Sequence, residues 1–367
     1  MHLQDVSSFE KGKSFTCGKL DVLVLNGSYR EMGRQYGKLL QQPLGQFYQE
    51  AIVEHFMYHR NLSLEVMLAM GHDLFKLYPK RLKEILVGMA ETSGLDLDQH
   101  LVLNALELFG PLEGCSCIAV WGDYTSREPL VFGRNYDWFP SYSDFARTLT
   151  VTILNPPSSV PTAIVTFAGV IYATTGMNKN GLFLALNNGQ PSGGELIYSG
   201  RIQTMVMLLS FLLDADSMEQ LDAAFQTTNS HFSYIINVAD PSAAFSYEWP
   251  PFAIRRREGV RNGVLASTNQ FINPEWKLQV VDSHGMETVK RRENLLRLAE
   301  KNKGRINAER MMEMMDIPID RGGPTWPQKA QWKTVYQVVA VPEKRELFLK
   351  VPGYQDWTGV SLQKLFI

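Results

Sequence analysis

Cysteine is almost missing from this chain: among 367 residues only Cys17, Cys115 and Cys117 occur. A sparse, odd count excludes a disulfide scaffold and fits a reducing compartment, so a cytoplasmic location is expected. A surplus of charge is missing too, with 36 Lys and Arg set against 38 Asp and Glu. No segment carries the basic excess that a nucleic-acid footprint needs. Long apolar runs are lacking. The best of them, Met205-Val206-Met207-Leu208-Leu209-Ser210-Phe211-Leu212-Leu213, falls short of the roughly 20 residues that span a bilayer, so no membrane insertion is expected. The opening Met1-His2-Leu3-Gln4-Asp5-Val6 has neither the basic nor the apolar region of a secretory signal. Metal ligands at useful spacing are also wanting. His55 and His59 share a helical face without a well-spaced acidic ligand, which reads as ordinary amphipathic surface. No metal or other cofactor is called for.

What the chain does have is core. At 45% hydrophobic residues it can bury a substantial interior, and its length still suits one compact domain. Residues 1–114 read as a helix-rich segment led by a strand over Lys19 to Gly27, with helical spacing from Gln46 to His100 broken at Pro79 and Gly94. Residues 115–367 change texture to short β-branched or aromatic runs: Ile118–Val120, Leu130–Phe132, Leu149–Leu154, Thr162–Phe167, Leu182–Leu186 and Tyr234–Val238. Helical patterns interrupt them over Ile202–Leu213, Met218–Phe225, Val289–Glu300 and Asn307–Met315. Antiparallel strands in groups, separated by blocks of helices, predict an α+β layered sandwich. Ser192-Gly193-Gly194 and Arg321-Gly322-Gly323-Pro324 are the loops expected to move.

The chemistry concentrates in Gly114-Cys115-Ser116-Cys117-Ile118-Ala119-Val120 and, beyond a hairpin connection at Gly122-Asp123-Tyr124-Thr125-Ser126-Arg127-Glu128, in Gly133-Arg134-Asn135-Tyr136-Asp137-Trp138. A thiol at a strand start, facing arginine and aspartate on the partner strand, is the layout of an activated nucleophile. A free thiol is only a few per cent ionised at neutral pH and needs help. No adjacent histidine offers it. If the Gly114–Cys115 bond were cut, the new α-amino group of Cys115, ordinarily titrating at about 7.7–8.0, could take the thiol proton.

This arrangement resembles the N-terminal nucleophile hydrolases that act on linear amides, and within them the acyl-coenzyme A:6-aminopenicillanic acid acyltransferase family. Bile salt hydrolases, penicillin V acylases and acid ceramidase are more distant relatives. Further segments carry the resemblance in the same order: Gly27-Ser28-Tyr29-Arg30-Glu31-Met32-Gly33-Arg34-Gln35-Tyr36-Gly37, Glu84–Glu91, Gly176-Met177-Asn178-Lys179-Asn180-Gly181-Leu182, Thr268-Asn269-Gln270-Phe271, and the strand around Thr334–Val339. It implies a four-layer αββα sandwich of two antiparallel sheets. It also implies self-cleavage, with the Cys115 sulfur attacking the Gly114 carbonyl, residues 1–114 then being a pro-region or light subunit. Cys115 is favoured as nucleophile by the small Gly114 on its acyl side and by the small residues after it. Cys117 matches the family's spacing to Asp137 more closely and stays an alternative. Asp137 would orient the α-amino group, and Arg134 would favour the thiolate. Asn187 (or Asn188) and Asn269 fall where the family carries donors to the oxyanion. Arg291 (or Arg292) falls where it carries a further basic residue.

The reading that follows is a cysteine amidohydrolase or acyltransferase, forming a thioester with an apolar acyl group and resolving it with water or an amine. Its partner is a small acylated amide, and a homo-oligomer is compatible with it. Two others stand beside it: an uncut relative that only binds an acylated small molecule, and a papain-like cysteine hydrolase, which would need a histidine at the thiol.

Overall fold

Ser28 and Glu31 fix where the first helix begins. The Ser28 hydroxyl accepts from the Glu31 backbone N–H while the Glu31 carboxylate accepts from the Ser28 N–H, a reciprocal cap on Tyr29–Leu39. Glycine decides what that helix meets. A β-carbon on Gly33 would stand 2.1 Å from the Ile85 carbonyl oxygen, and one on Gly88 would stand 2.2 Å from that of Arg30. Tyr29–Leu39 and Lys80–Thr92 therefore cross backbone to backbone. The glycine-spaced segment of the N-terminal region is a packing device, remote in role from the thiol.

The computed structural model describes residues 3–109, 114–125, 129–259, 263–279, 282, 285–327 and 330–367. Two sheets organise them. The larger runs from edge to edge through Gln4–Phe9, Gly12–Cys17, Leu20–Asn26, Leu149–Asn155, Thr162–Phe167, Thr175–Asn178, Phe183–Asn188, Tyr234–Ala239, Ala244–Trp249 and Arg255–Glu258. The smaller runs through Val264–Ser267, Ser116–Val120, Val131–Trp138, Lys333–Val341, Glu346–Val351 and Gln355–Ser361. Their inner faces meet, with the rings of Phe132 and Phe183 4.8 Å apart across the gap. Helix Thr204–Asp214 packs on the larger sheet, and Thr288–Lys301 and Ala308–Asp316 pack on the smaller. The result is the α+β sandwich of four layers, helix, sheet, sheet, helix.

One pairing departs from the all-antiparallel expectation: Leu20–Asn26 runs parallel to Leu149–Asn155. The physical reason is the length of chain between them, which holds the N-terminal helices and two strands of the other sheet and can return in the same direction. Residues 1–114 also supply three strands of the larger sheet, two of them, Gln4–Phe9 and Gly12–Cys17, beyond the single strand expected there. The loops expected to move make hydrogen bonds within and beyond themselves. Gly193 donates its N–H to Gly189 and Ser192 accepts from the Phe271 N–H, while Gly323 donates to Pro318. The hairpin connection begins as a single helical turn at Gly122–Tyr124, and its residues 126–128 lie outside the described residues.

Candidate active site

The strand Ser116–Val120 lies between two neighbours, with Cys117 opposite Arg134 on one side and opposite Ser267 on the other. Cys115 precedes the strand by one residue, at the open end of the ladder. Alternation along a strand puts Cys115 and Cys117 on one face, the face turned toward the larger sheet, and both are buried.

Arg134 crosses from one sheet to the other. Its Nη1 donates to the Thr174 carbonyl and, at 2.7 Å, to Thr175 Oγ1, while its Nη2 donates to the Leu186 carbonyl at 2.8 Å. The same Nη2 lies 3.7 Å from the Cys115 sulfur. Three oxygens of the opposing sheet thus hold the cation at the thiol, where positive charge favours thiolate. Its guanidinium carbon sits 5.2 Å from the centre of the Tyr136 ring.

A second buried arginine approaches from the helical layer. Arg291, on Thr288–Lys301, donates from Nη1 to the Cys115 carbonyl oxygen at 3.0 Å and to Asp137 Oδ2 at 3.0 Å. Its Nη2 donates to Asn269 Oδ1 at 2.9 Å and its Nε to the Met286 carbonyl at 2.9 Å. Asp137 is closed off further by the Thr334 hydroxyl, which donates to its Oδ1 at 2.7 Å. Burial pushes the Asp137 carboxyl up to about 7, against the pull of Arg291, the Thr334 hydrogen bond and Arg134. Gly114 is held beside it, its N–H donating to the Asp137 carbonyl at 3.0 Å. A β-carbon on Gly114 would lie 3.8 Å from Arg291 Nη2 and 3.9 Å from Asn269 Oδ1. The bond between Gly114 and Cys115 therefore sits among Arg291, Asp137 and Asn269.

The two asparagines sit differently. Asn269 joins Arg291 through its oxygen and donates from Nδ2 to the Asn188 carbonyl at 2.9 Å. Asn187 faces Cys117: the Cys117 thiol donates to its Oδ1 at 3.3 Å, and its Nδ2 donates to the Thr268 carbonyl at 3.0 Å and to Ser267 Oγ at 3.4 Å. Asn188 turns its side-chain oxygen to the Gln190 N–H, a local turn contact. Of the two adjacent arginines, Arg291 enters the site, whereas Arg292 donates to the Ala266 carbonyl at 3.3 Å. Cys117 is held toward its neutral form. Burial pushes its thiol up to about 12, and it lies within the ladder rather than at its end. Thr334 and Ser267 are site residues that sequence reasoning did not single out for a role; each lies in an ordinary strand pattern that carries no chemical signal.

Histidines take other partners. His100 pairs with Ser93 at 2.8 Å, His231 with Thr204 at 2.9 Å, and His72 with Asp98 at 3.0 Å. Among the described residues no group of three or more His, Cys, Asp and Glu is placed to hold a metal ion, and no helix is long and apolar enough to cross a membrane.

The family model of acyl-coenzyme A:6-aminopenicillanic acid acyl-transferase matches residues 125–347, more than half of the sequence, and the chain belongs to that family. The match takes in Arg134, Asp137, Asn187, Asn269 and Arg291 and begins beyond Cys115. Among solved structures, a mutant of the conjugated bile acid hydrolase from Clostridium perfringens is similar with a TM-score of 0.50 at 14% identity, over 68% of this chain and 93% of that one. An N-acylethanolamine-hydrolyzing acid amidase ortholog from Caenorhabditis elegans gives 0.49 at 17%, over 68% and 100%. Penicillin V acylase from Agrobacterium tumefaciens gives 0.48 at 12%, over 69% and 88%. No curated protein matches the sequence. The sandwich is the N-terminal nucleophile hydrolase fold, and the protein is of the amidohydrolase or acyltransferase type.

Proposed function

We propose that this protein cleaves a linear amide with an apolar acyl group through a thioester on Cys115, after its own chain is cut between Gly114 and Cys115. The observation that carries the reading is the position of Cys115: its sulfur lies 3.7 Å from Arg134 Nη2 and its carbonyl 3.0 Å from Arg291 Nη1, at the open end of a strand. A cut before Cys117 would fall inside a strand bonded on both sides, which favours Cys115.

In the first cut the Cys115 sulfur attacks the Gly114 carbonyl carbon, the bond to the Cys115 nitrogen breaks, and water releases the acyl end. The freed α-amino group then takes the thiol proton. Asp137 serves as the acceptor that orients this amine, and Arg134 steadies the sulfur anion. On substrate, sulfur attacks the amide carbonyl, the C–N bond breaks, and the amine departs with the proton. Water or a second amine attacks the thioester and returns the thiol. Asn269 turns its Oδ1 toward the reacting bond, held by Arg291, and its Nδ2, which donates to the Asn188 carbonyl, is the candidate donor to the oxyanion, with Asn187 holding Cys117. The sparse cysteines, none of the three in a disulfide, suit a reducing compartment such as the cytoplasm.

The test is denaturing mass spectrometry of the purified protein, before and after incubation with a panel of N-acyl amino acids, acylated amines, penicillins and bile-salt conjugates. A fragment beginning at Cys115, and an acyl adduct on it, are expected, with neither formed by Cys115→Ala. A fragment beginning at Cys117, or adducts undiminished in Cys115→Ala, would overturn the assignment.

A further inference from the structure

At the hydroxyl of Tyr136, the ring that Arg134 lies over, is a carboxyl group that the proposed chemistry leaves unused. Glu107 sits in the single helical turn Leu106–Leu108, in the segment that precedes the Gly114–Cys115 bond, and is buried. Its Oε1 accepts from the Tyr136 hydroxyl at 2.9 Å. The Tyr136 ring is the one that carries the Arg134 guanidinium on its face, at 5.2 Å, and it stacks on Tyr336 with ring centres 4.5 Å apart. One buried cation thus has the Cys115 sulfur at one side and, across an aromatic ring, an acid at the other.

Among the described residues, charged and titratable groups reach Glu107 from three elements. Strand Val131–Trp138 brings Tyr136 and Arg134, strand Lys333–Val341 brings Tyr336, and the segment before Thr175 brings Tyr172. The phenol of Tyr336 is pushed up to about 12 by burial and is neutral. Burial pushes Glu107 itself up to about 7, opposed by the Tyr136 hydrogen bond and by the Arg134 charge. On the other side, Cys115 is faced by Arg134 and Arg291, and beyond them by Asp137 and the protonated Cys117. Arg291 already has Asp137 as its counter-charge. Arg134 donates to the Thr174 and Leu186 carbonyls and to Thr175 Oγ1; its charge lowers the Glu107 carboxyl, and its Nη2 lies beside the Cys115 sulfur.

We propose that Glu107 is a positioning residue for the site, a carboxyl from the segment before the cut that shares the Arg134 cation with the Cys115 sulfur and so sets how readily that thiol ionises. With Glu107 charged, Arg134 is partly neutralised and the thiolate loses support. With Glu107 protonated, the full charge of Arg134 serves the sulfur. The inference rests on Cys115 as the reacting thiol, and it carries a structural corollary: the N-terminal piece keeps a part in the site after any cut.

The experiment is a pH titration of the full chain labelled with 13C at the cysteine β-carbons, whose shift reports thiol ionisation without requiring access from solvent. Three signals are expected, assigned with Cys17→Ala and Cys117→Ala. In Glu107→Gln the Cys115 midpoint should fall by about one pH unit, the scale of one charge acting over roughly 10 Å at an intermediate dielectric. In Tyr136→Phe, which removes the bond that favours the charged acid, it should fall in the same direction by less. If Glu107→Gln does not fold, Tyr136→Phe carries the test alone. A midpoint unchanged or raised in both variants, or a Cys115 signal that does not titrate in any of them, overturns the proposal. Because the titration needs no turnover, its failure is distinct from the loss of adduct that would sink the Cys115 assignment.

Discussion

Arg291 touches Asp137 and the Cys115 carbonyl with one nitrogen, each at 3.0 Å. A helix of the outer layer thereby fixes both the acid of one strand and the residue that leads into its neighbour. A third contact, to Asn269, uses the other nitrogen of the fork, a geometry that a lysine cannot copy.

Replacing Arg291 should therefore cost both fold and chemistry. Arg291→Met leaves Asp137 buried without its cation, and the loss of stability should be about 3–5 kcal/mol, as for other broken buried pairs. Arg292→Ala, which gives up a bond to the Ala266 carbonyl, should be close to the parent in activity. Denaturant midpoints alongside turnover check this; comparable activity losses in the two variants would return Arg291 to the ordinary face of a helix.

The two buried acids make stability depend on pH in a definite sense. Glu107 and Asp137 are each pushed up to about 7, from ordinary values of 4.5 and 3.8. The folded chain keeps protons that the unfolded chain has released, so this contribution is complete below about pH 4 and is lost as pH rises through about 7. His100 and His231, held down to about 4 by burial, work the other way between about pH 4 and 6.5, so the sign is read as a difference: from pH 5 to pH 8 the thermal midpoint of Glu107→Gln should fall less than that of the parent. A steeper fall in the variant would contradict the sign.

Asn269 and Asn187 should separate in kinetics. Asn269→Ala should lower the acylation rate by roughly two orders of magnitude, the usual loss for one oxyanion donor, with a smaller change in KM. Asn187→Ala, which removes a side chain facing Cys117 rather than the Gly114–Cys115 bond, should cost less in kcat. Equal losses in single-turnover measurements would mean that both donors converge on the reacting oxygen.

Gly88→Ala tests the helix crossing. The added methyl would meet the Arg30 carbonyl at 2.2 Å, with backbone on both sides and no side chain able to yield. Destabilisation of about 3 kcal/mol, the upper part of the usual overpacking range, is expected in chemical denaturation. A neutral outcome would show that the two helices can separate without penalty.

How far this could be read from sequence varies along the chain. Phe183–Asn188 and Leu149–Asn155 are buried on every residue, and their unbroken apolar and β-branched runs announce central strands. Gln4–Phe9 is exposed at nearly every position and has no apolar face to betray a strand; it is held by pairing to Gly12–Cys17. Tyr48–His59 reads as helix, but its wider π winding has no signature in the apolar spacing. At the site, Arg134 and Asp137 were visible because they share a short motif with the thiol's partner strand. Glu107 was not, since it reaches the thiol's surroundings only through Tyr136, and a lone acid in a helical segment looks like solvated surface. Between Arg291 and Arg292, adjacent on one helix, only packing against the sheet decides which turns inward.

The bond between Thr334 and Asp137 sets a schedule. Thr334 belongs to a strand that leaves the ribosome long after Cys115 does, and that strand's pairing with Val131–Trp138 closes the acid off from water. Until it arrives, a nascent chain holds the thiol, Arg134 and Asp137 without the wall that keeps them dry and aligned. If Cys115 reacts as proposed, the arrangement described for it is complete only once Thr334 has joined the sheet.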